Sequence, residues 1–257
     1  MPDTGARLPA VAEPAGAEVA PADEGAGVRD TAARETALAF ALRAASVLAF
    51  GVAFGYVEAA VVVYLRGALG VASENLFPVQ QAVGDPGRLV AIEAGRELAT
   101  LVMLAAVGIL AGAGRWERLA WTAVAFGAWD ITYYGWLFVF IGWPPSLSTW
   151  DVLFLLPAPW VGPVWAPIAV SLALIGVGLA AARRLRTGQV LSIAGWQVFA
   201  GLVGGALVIC SFLAGAPTVL AGGTPSDYPW PVFLAGLLIA GATAVSSFAR
   251  RPATEPA

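Results

Sequence analysis

Apolar residues fall into six long runs, separated and flanked by polar stretches that carry most of the arginines. The runs predict membrane segments over about 38–65, 89–113, 120–143, 160–182, 190–213 and 230–248. Each is long enough to cross a bilayer, for which roughly 20 apolar residues suffice. The expected fold class is therefore an all-α polytopic membrane protein. It is a bundle of about six transmembrane helices, with an interfacial or re-entrant segment before the fourth. That segment, 144–167, contains Ser148 and Thr149 as cap-like residues before a run that reads as a short interfacial helix over 150–156. Pro157, Pro159, Pro163 and Pro167 then interrupt it. Non-helical backbone at membrane depth is tolerated only where protein buries it or where it lines a wet space.

Outside the runs the pattern changes. Residues 1–30 are rich in Ala, Pro, Gly and acid without apolar periodicity, which predicts a disordered cytoplasmic tail. They lack the basic-then-apolar order of a signal peptide. Asp30 or Thr31 is placed to cap the helix that follows. The domain reading is thus a tail over 1–30, a six-helix transmembrane domain over 31–251, and a short cytoplasmic tail over 252–257. The link 66–88, with Asn75, Pro78 and Asp85-Pro86-Gly87, reads as an external loop with structure of its own. No internal repeat is visible, so an inverted-repeat transporter is not supported.

The arginines orient the bundle. Arg29 and Arg34 precede the first segment and Arg43 lies near its start, and Arg115 and Arg118 follow the second. Arg183, Arg184 and Arg186 follow the fourth, and Arg250 and Arg251 the sixth. Positive charge is retained on the cytoplasmic side, which puts both termini inside. Arg66 and Arg88 break the pattern in the first outer loop, close enough to the interface to snorkel.

Acidic residues interrupt the apolar pattern at a few places, and these are the chemical candidates. Asp130 lies in the middle of the third segment, where a carboxylate costs about 2.5–3.5 kcal/mol to insert. Three-and-four spacing puts Ala123, Gly127, Asp130 and Tyr134 on one face, small enough for a neighbour to approach. Trp129, Tyr133, Trp136 and Phe140 fall on another, read as lipid-facing. Glu58 shares a face with Gly51 and Gly55. Glu93 and Glu97 face the same way at the start of the second segment, with Arg96 able to pair with Glu93. In the arginine-set orientation Glu58 lies roughly 10 Å and Asp130 roughly 18 Å from the outer end of its helix. Asp151 belongs to an outer loop. These positions predict an acidic, partly hydrated cavity in the outer half of the bilayer, floored by Asp130. The candidate catalytic acids are Asp130, Glu58, Glu97 and Glu93. The candidate binding residues are Arg96, Tyr134, Tyr56, Asp151 and Trp150.

Composition narrows the chemistry. The 257 residues are 59% hydrophobic and only 12% charged, against about 25% in soluble domains. There is no His and no Lys, which removes His-ligated haem, zinc–His sites, His bases and Schiff-base chemistry. Any other cofactor, and any metal, is left open. Cys210 is the single cysteine, so there is no internal disulfide. All fourteen cations are Arg, and with abundant Ala and Gly this points to a GC-rich bacterial genome and a bacterial cytoplasmic (inner) membrane. A net charge of −3 without a basic patch excludes nucleic acid as a partner.

Three functions fit. The first is an intramembrane enzyme using carboxylate acid–base chemistry on a lipid or isoprenoid, since burial favours the protonated acid and two carboxyls can divide acid and base roles. The second is a proton- or cation-coupled transporter, since oxygen ligands suit hard cations. The third is a non-catalytic subunit or assembly factor of a membrane complex, with small-residue faces such as Gly201, Gly204 and Gly205, or Gly236 with Ala240, docking a partner subunit. Membrane lipids are partners in every case. Against all three stands a structural reading, in which Glu93, Arg96 and Glu97 are an ion-pair network, the tryptophans an interfacial belt, and Gln197 a helix–helix hydrogen bond. The orientation has a direct test: a reporter fused after Pro256 is expected to work only if it is one that functions in the cytoplasm. Activity only of an external reporter would reverse the topology.

Overall fold

The computed structural model describes residues 24–70, 86–191 and 193–249. They fall into two units, divided between Ala39 and Phe40, and the second holds every contact discussed below. The elements in order are α1 (Glu24–Leu69), α2 (Pro86–Ala111), α3 (Arg115–Ile141), β1 (Trp150–Phe154), β2 (Trp160–Pro163), α4 (Trp165–Arg186), α5 (Gly195–Leu213), α6 (Ala216–Leu220) and α7 (Trp230–Ala249). Six helices among the described residues are long and apolar enough to cross a membrane, which makes this a multi-pass membrane protein. The architecture is a mostly helical bundle of the expected kind.

Several boundaries differ from expectation, and one segment changes type. α1 begins at Glu24, inside the stretch read as tail, so Asp30 and Thr31 lie within the helix rather than capping it. Ala-rich sequence supports helix even where it carries no apolar stripe. α2 begins at Pro86, because proline suits the first turn of a helix. The loop between them, expected on the outer side, falls largely outside the described residues. The segment before the fourth span is not helical at all. Residues 150–163 form an antiparallel hairpin, with Trp150 opposite Pro163, Asp151 opposite Gly162 and Val152 opposite Val161, and an irregularity before Phe154. The prolines that follow β1 and end β2 favour extended backbone over a helical turn.

α3 is the central helix. Thr132 Oγ donates to the Gly51 carbonyl of α1 at 3.2 Å, and Trp136 Nε1 to the Val52 carbonyl at 3.0 Å. A Cβ on Gly51 would lie 2.5 Å from the Ala128 side chain, so that crossing depends on glycine. On its other side α3 presents Gly127 to α4, where a Cβ would lie 2.5 Å from the Ser171 carbonyl. The face carrying Asp130 is therefore the one that packs on α4. α3 stops at Gly142, whose left-handed backbone (φ 66) lets its N–H reach the Phe138 carbonyl at 2.9 Å.

The end of the bundle where α3 begins is closed by ions. Glu117, expected in a link, sits buried in the first turn of α3. It accepts from Arg186 Nε at 2.7 Å, Trp121 Nε1 at 3.2 Å and the Ala113 N–H at 2.9 Å.

α5 and α7 form a second, tightly packed pair. Gln197 donates to Ser246 Oγ at 2.8 Å, the expected interhelical bond. Gly204 and Gly236 let the two backbones meet, so these small residues serve packing within the chain rather than an external partner. A Cβ on Gly204 would fall 2.7 Å from the Ala240 nitrogen. Gly204→Val is expected to cost about 1–3 kcal/mol, read as a lower thermal midpoint in detergent. Gly176→Ala, where a Cβ meets nothing within 4 Å, should stay within about 0.5 kcal/mol.

Candidate functional site

Four elements converge on a cavity of about 100 Å³ at the end of the bundle where α3 stops. α1 supplies Glu58 and Arg66, and α2 supplies Glu93, Arg96 and Glu97. α3 supplies Trp129, Asp130, Tyr133 and Tyr134. β1 and the residues after it supply Asp151, Val152, Leu153 and Leu155.

Helical spacing explains how α2 delivers its three charges together. Arg96 is three residues from Glu93 and donates to it through Nε at 3.0 Å and through Nη2. It also pairs through Nη1 with Glu58 of α1. Glu58 accepts a further bond from Thr100 Oγ1 at 3.4 Å. The sequence places no cation beside Glu58; its partner comes from the next helix.

Glu97 faces the hairpin. Both of its carboxylate oxygens accept the Leu155 N–H, each at 2.9 Å. A two-stranded hairpin leaves one edge of each strand unpaired, and an acid from α2 satisfies the exposed donor. Asp151, the buried side chain of β1, accepts from Tyr134 Oη at 3.0 Å. Asp130 accepts from Ser171 Oγ of α4 at 2.8 Å. These three bonds tie the hairpin, α2, α3 and α4 around the same space.

Burial pushes the Asp151 carboxyl up to about 6, against donation from Tyr134, the charge of Arg66 and the Val152 N–H. Outside the cavity, burial likewise raises the Tyr228 hydroxyl, opposed by its bond with Ser211.

Of the candidates, Glu58, Glu93, Arg96, Glu97, Asp130, Tyr134 and Asp151 all border the cavity. Tyr56 does not. It is 47% exposed and meets Trp136 and Phe140 edge-on, with centroids 5.2 and 5.1 Å away. Trp150 does not either; it packs against Tyr228 in an aromatic cluster with Phe212 and Phe233. The stripe read as lipid-facing is corrected too. Trp136 bonds to α1, Trp129 is buried beside Phe54, and Tyr133 lines the cavity. In a lipid solvent both the packed and the exposed faces of a helix are apolar, so aromatic content does not tell them apart.

Three side chains join the site without having been singled out. Arg66, expected at the interface, lies over the Trp143 ring at 5.3 Å and borders the cavity. Ser171 is the one hydroxyl in α4, and that was the signal available in the sequence. Tyr133 had none. Among the described residues no group of three or more His, Cys, Asp or Glu side chains converges as metal ligands.

A second hollow meets the first at Asp130. It holds about 380 Å³, is lined mostly by apolar residues of α3, the hairpin, α4, α5 and α7, and shares Asp130 and Leu153 with the cavity. Asp130 thus stands on a wall between a polar and an apolar space.

Fold and site together define a multi-pass membrane protein with a buried ionisable cavity. No protein-family model, curated protein or solved structure matches the chain.

The raised Asp151 carboxyl sets a pH dependence. A folded-state value above the ordinary 3.8 means that the native state holds the proton more tightly than the unfolded chain. Its contribution is fully favourable below 3.8 and is lost as pH rises through about 6. Stability in detergent is expected to fall across that window, and Asp151→Asn to flatten the slope. An unchanged slope in the variant would remove Asp151 as its source.

Proposed function

We propose that this protein is an intramembrane enzyme using carboxylate acid–base chemistry on a lipid or isoprenoid. The observation that carries the reading is the position of Asp130 between the polar cavity and the apolar hollow. An amphiphilic substrate has the same division, a polar end and a hydrocarbon body. Its reactive polar end would meet Asp130, with the body on the apolar side.

In this reading Asp130 exchanges a proton with the substrate, and Ser171 fixes the orientation of its carboxyl. Asp151, held by Tyr134, is the second carboxyl, so that one acid donates while the other accepts. Arg96 pairs with Glu58 and Glu93 and holds them in place, and these act as positioning residues. Glu97 holds the hairpin whose residues line one side of the cavity. The membrane is the bacterial cytoplasmic membrane, with both termini inside and the cavity in the outer half.

Transport is favoured less. A cation crossing the bundle would need polar groups beyond Asp130. The hollow toward the opposite end is lined mostly by apolar residues, with Gln197, Thr243 and Ser247 the uncharged polar side chains, besides the Trp116 indole, among the described residues.

Membranes from cells with and without the protein should differ in at least one lipid species. Asp130→Asn and Glu58→Gln are expected to abolish that difference, by about 100-fold or more in turnover for Asp130, while the protein purifies folded. If both variants leave the lipid profile as the wild type makes it, the acids are structural. A divalent metal that native mass spectrometry finds bound, and that Asp130→Asn removes, would instead make the cavity a cation site.

A further inference from the structure

The apolar hollow beside Asp130 does not end there. A second one of about 380 Å³ shares Leu174 and Val177 of α4 with it, and Ala240 and Ala244 of α7. The two are stretches of one crevice between the α3–α4 pair and the α5–α7 pair. It exists because each pair is closely packed within itself while α4 and α7 touch only sparsely. The upper stretch is walled by Phe154, Trp160 and Phe212 as well as Asp130. The lower stretch opens sideways past Leu119, Val198 and Leu202, all exposed on the outer surface of the bundle.

An empty apolar space of this size loses the dispersion contacts of its walls. Water is a poor filler without polar partners, and this space offers few. A partner helix, about 10 Å across, needs a groove on the outside of the bundle. This crevice instead threads between two helix pairs of one chain. What fits is thin, apolar, flexible and delivered from the side, with a polar end that meets Asp130 and Ser171.

We infer that the crevice binds one hydrocarbon chain of a membrane amphiphile, which enters laterally between α3 and α5 and lies along α4 and α7. The chain site rests on the proposed enzyme only for the chemistry of its polar end. Gly205 of α5 and Gly241 of α7 set its width. A Cβ at either meets no atom within 4 Å, and both line the upper stretch.

The test uses the full chain in phosphatidylethanolamine–phosphatidylglycerol vesicles doped with a photoactivatable diazirine lipid, acyl-chain in one series and prenol in another. Adducts with at least one probe should concentrate on Val170, Val208 and Leu237 over the outward-facing Phe199 and Leu238 by about tenfold. Gly205→Leu and Gly241→Leu should each lower the crevice adducts by about tenfold and leave those on Phe199 and Leu238 unchanged. The probe that labels tells an acyl from a prenyl chain. Equal labelling of crevice and outer surface by both probes, or crevice residues that crosslink to a second copy instead, would overturn the chain site. Crevice labelling that persists while Asp130→Asn leaves the lipid profile unaltered would keep the chain site and remove the enzyme.

Discussion

A charge inside an apolar bundle must find a partner, and Arg96 is the residue through which this bundle meets that demand. Its guanidinium reaches Glu93 on its own helix and Glu58 on α1. Removing one member of this partly buried group leaves the others short of a partner inside the bundle. The pairing therefore fixes α2 against α1 at one depth and one rotation. Arg suits the position because a planar fork can serve two carboxylates at once, which a lysine ammonium does less well. Everything else in the cavity is built around helices held in that register.

The hairpin is the second consequence. Backbone that leaves the helical state inside a membrane protein has to have its donors and acceptors satisfied by protein. β1 and β2 satisfy each other on the inner side, and Glu97 takes the Leu155 N–H on the outer side. The same residues that satisfy the hairpin place Asp151 against Tyr134. A structural need and a chemical arrangement are met by one set of bonds, so Glu97 belongs to the architecture of the site even if it never touches a ligand.

The rest of the molecule supplies contrast. The end of the bundle near Glu117 is sealed by Arg186, Trp121 and the Ala113 N–H. The α5–α7 pair is closed by Gly204, Gly236 and the Gln197–Ser246 bond. Between that pair and α4 the packing is open and apolar. The polar cavity and this opening meet at one carboxyl, Asp130, and that meeting gives the fold its lipid-enzyme reading.

Hydropathy alone determined the six spans, because length and apolar content decide whether a helix can cross a membrane. Helical spacing alone put Glu93, Arg96 and Glu97 together, and put Asp130 on the same face as Gly127. These are local properties of a helix, legible without its neighbours. Which helix Glu58 would pair with, which hydroxyl would hold Asp130, and which side of the Trp129–Phe140 stripe would meet α1 were decided only by the tertiary structure. Arg66 and Tyr133 entered the cavity for the same reason. In water an apolar face announces itself as buried; in lipid every face is apolar, and only packing between helices says which way each one turns. The hairpin was likewise invisible to a helical reading of 150–156, because its partners are β2 and Glu97, the latter fifty-odd residues away in the chain.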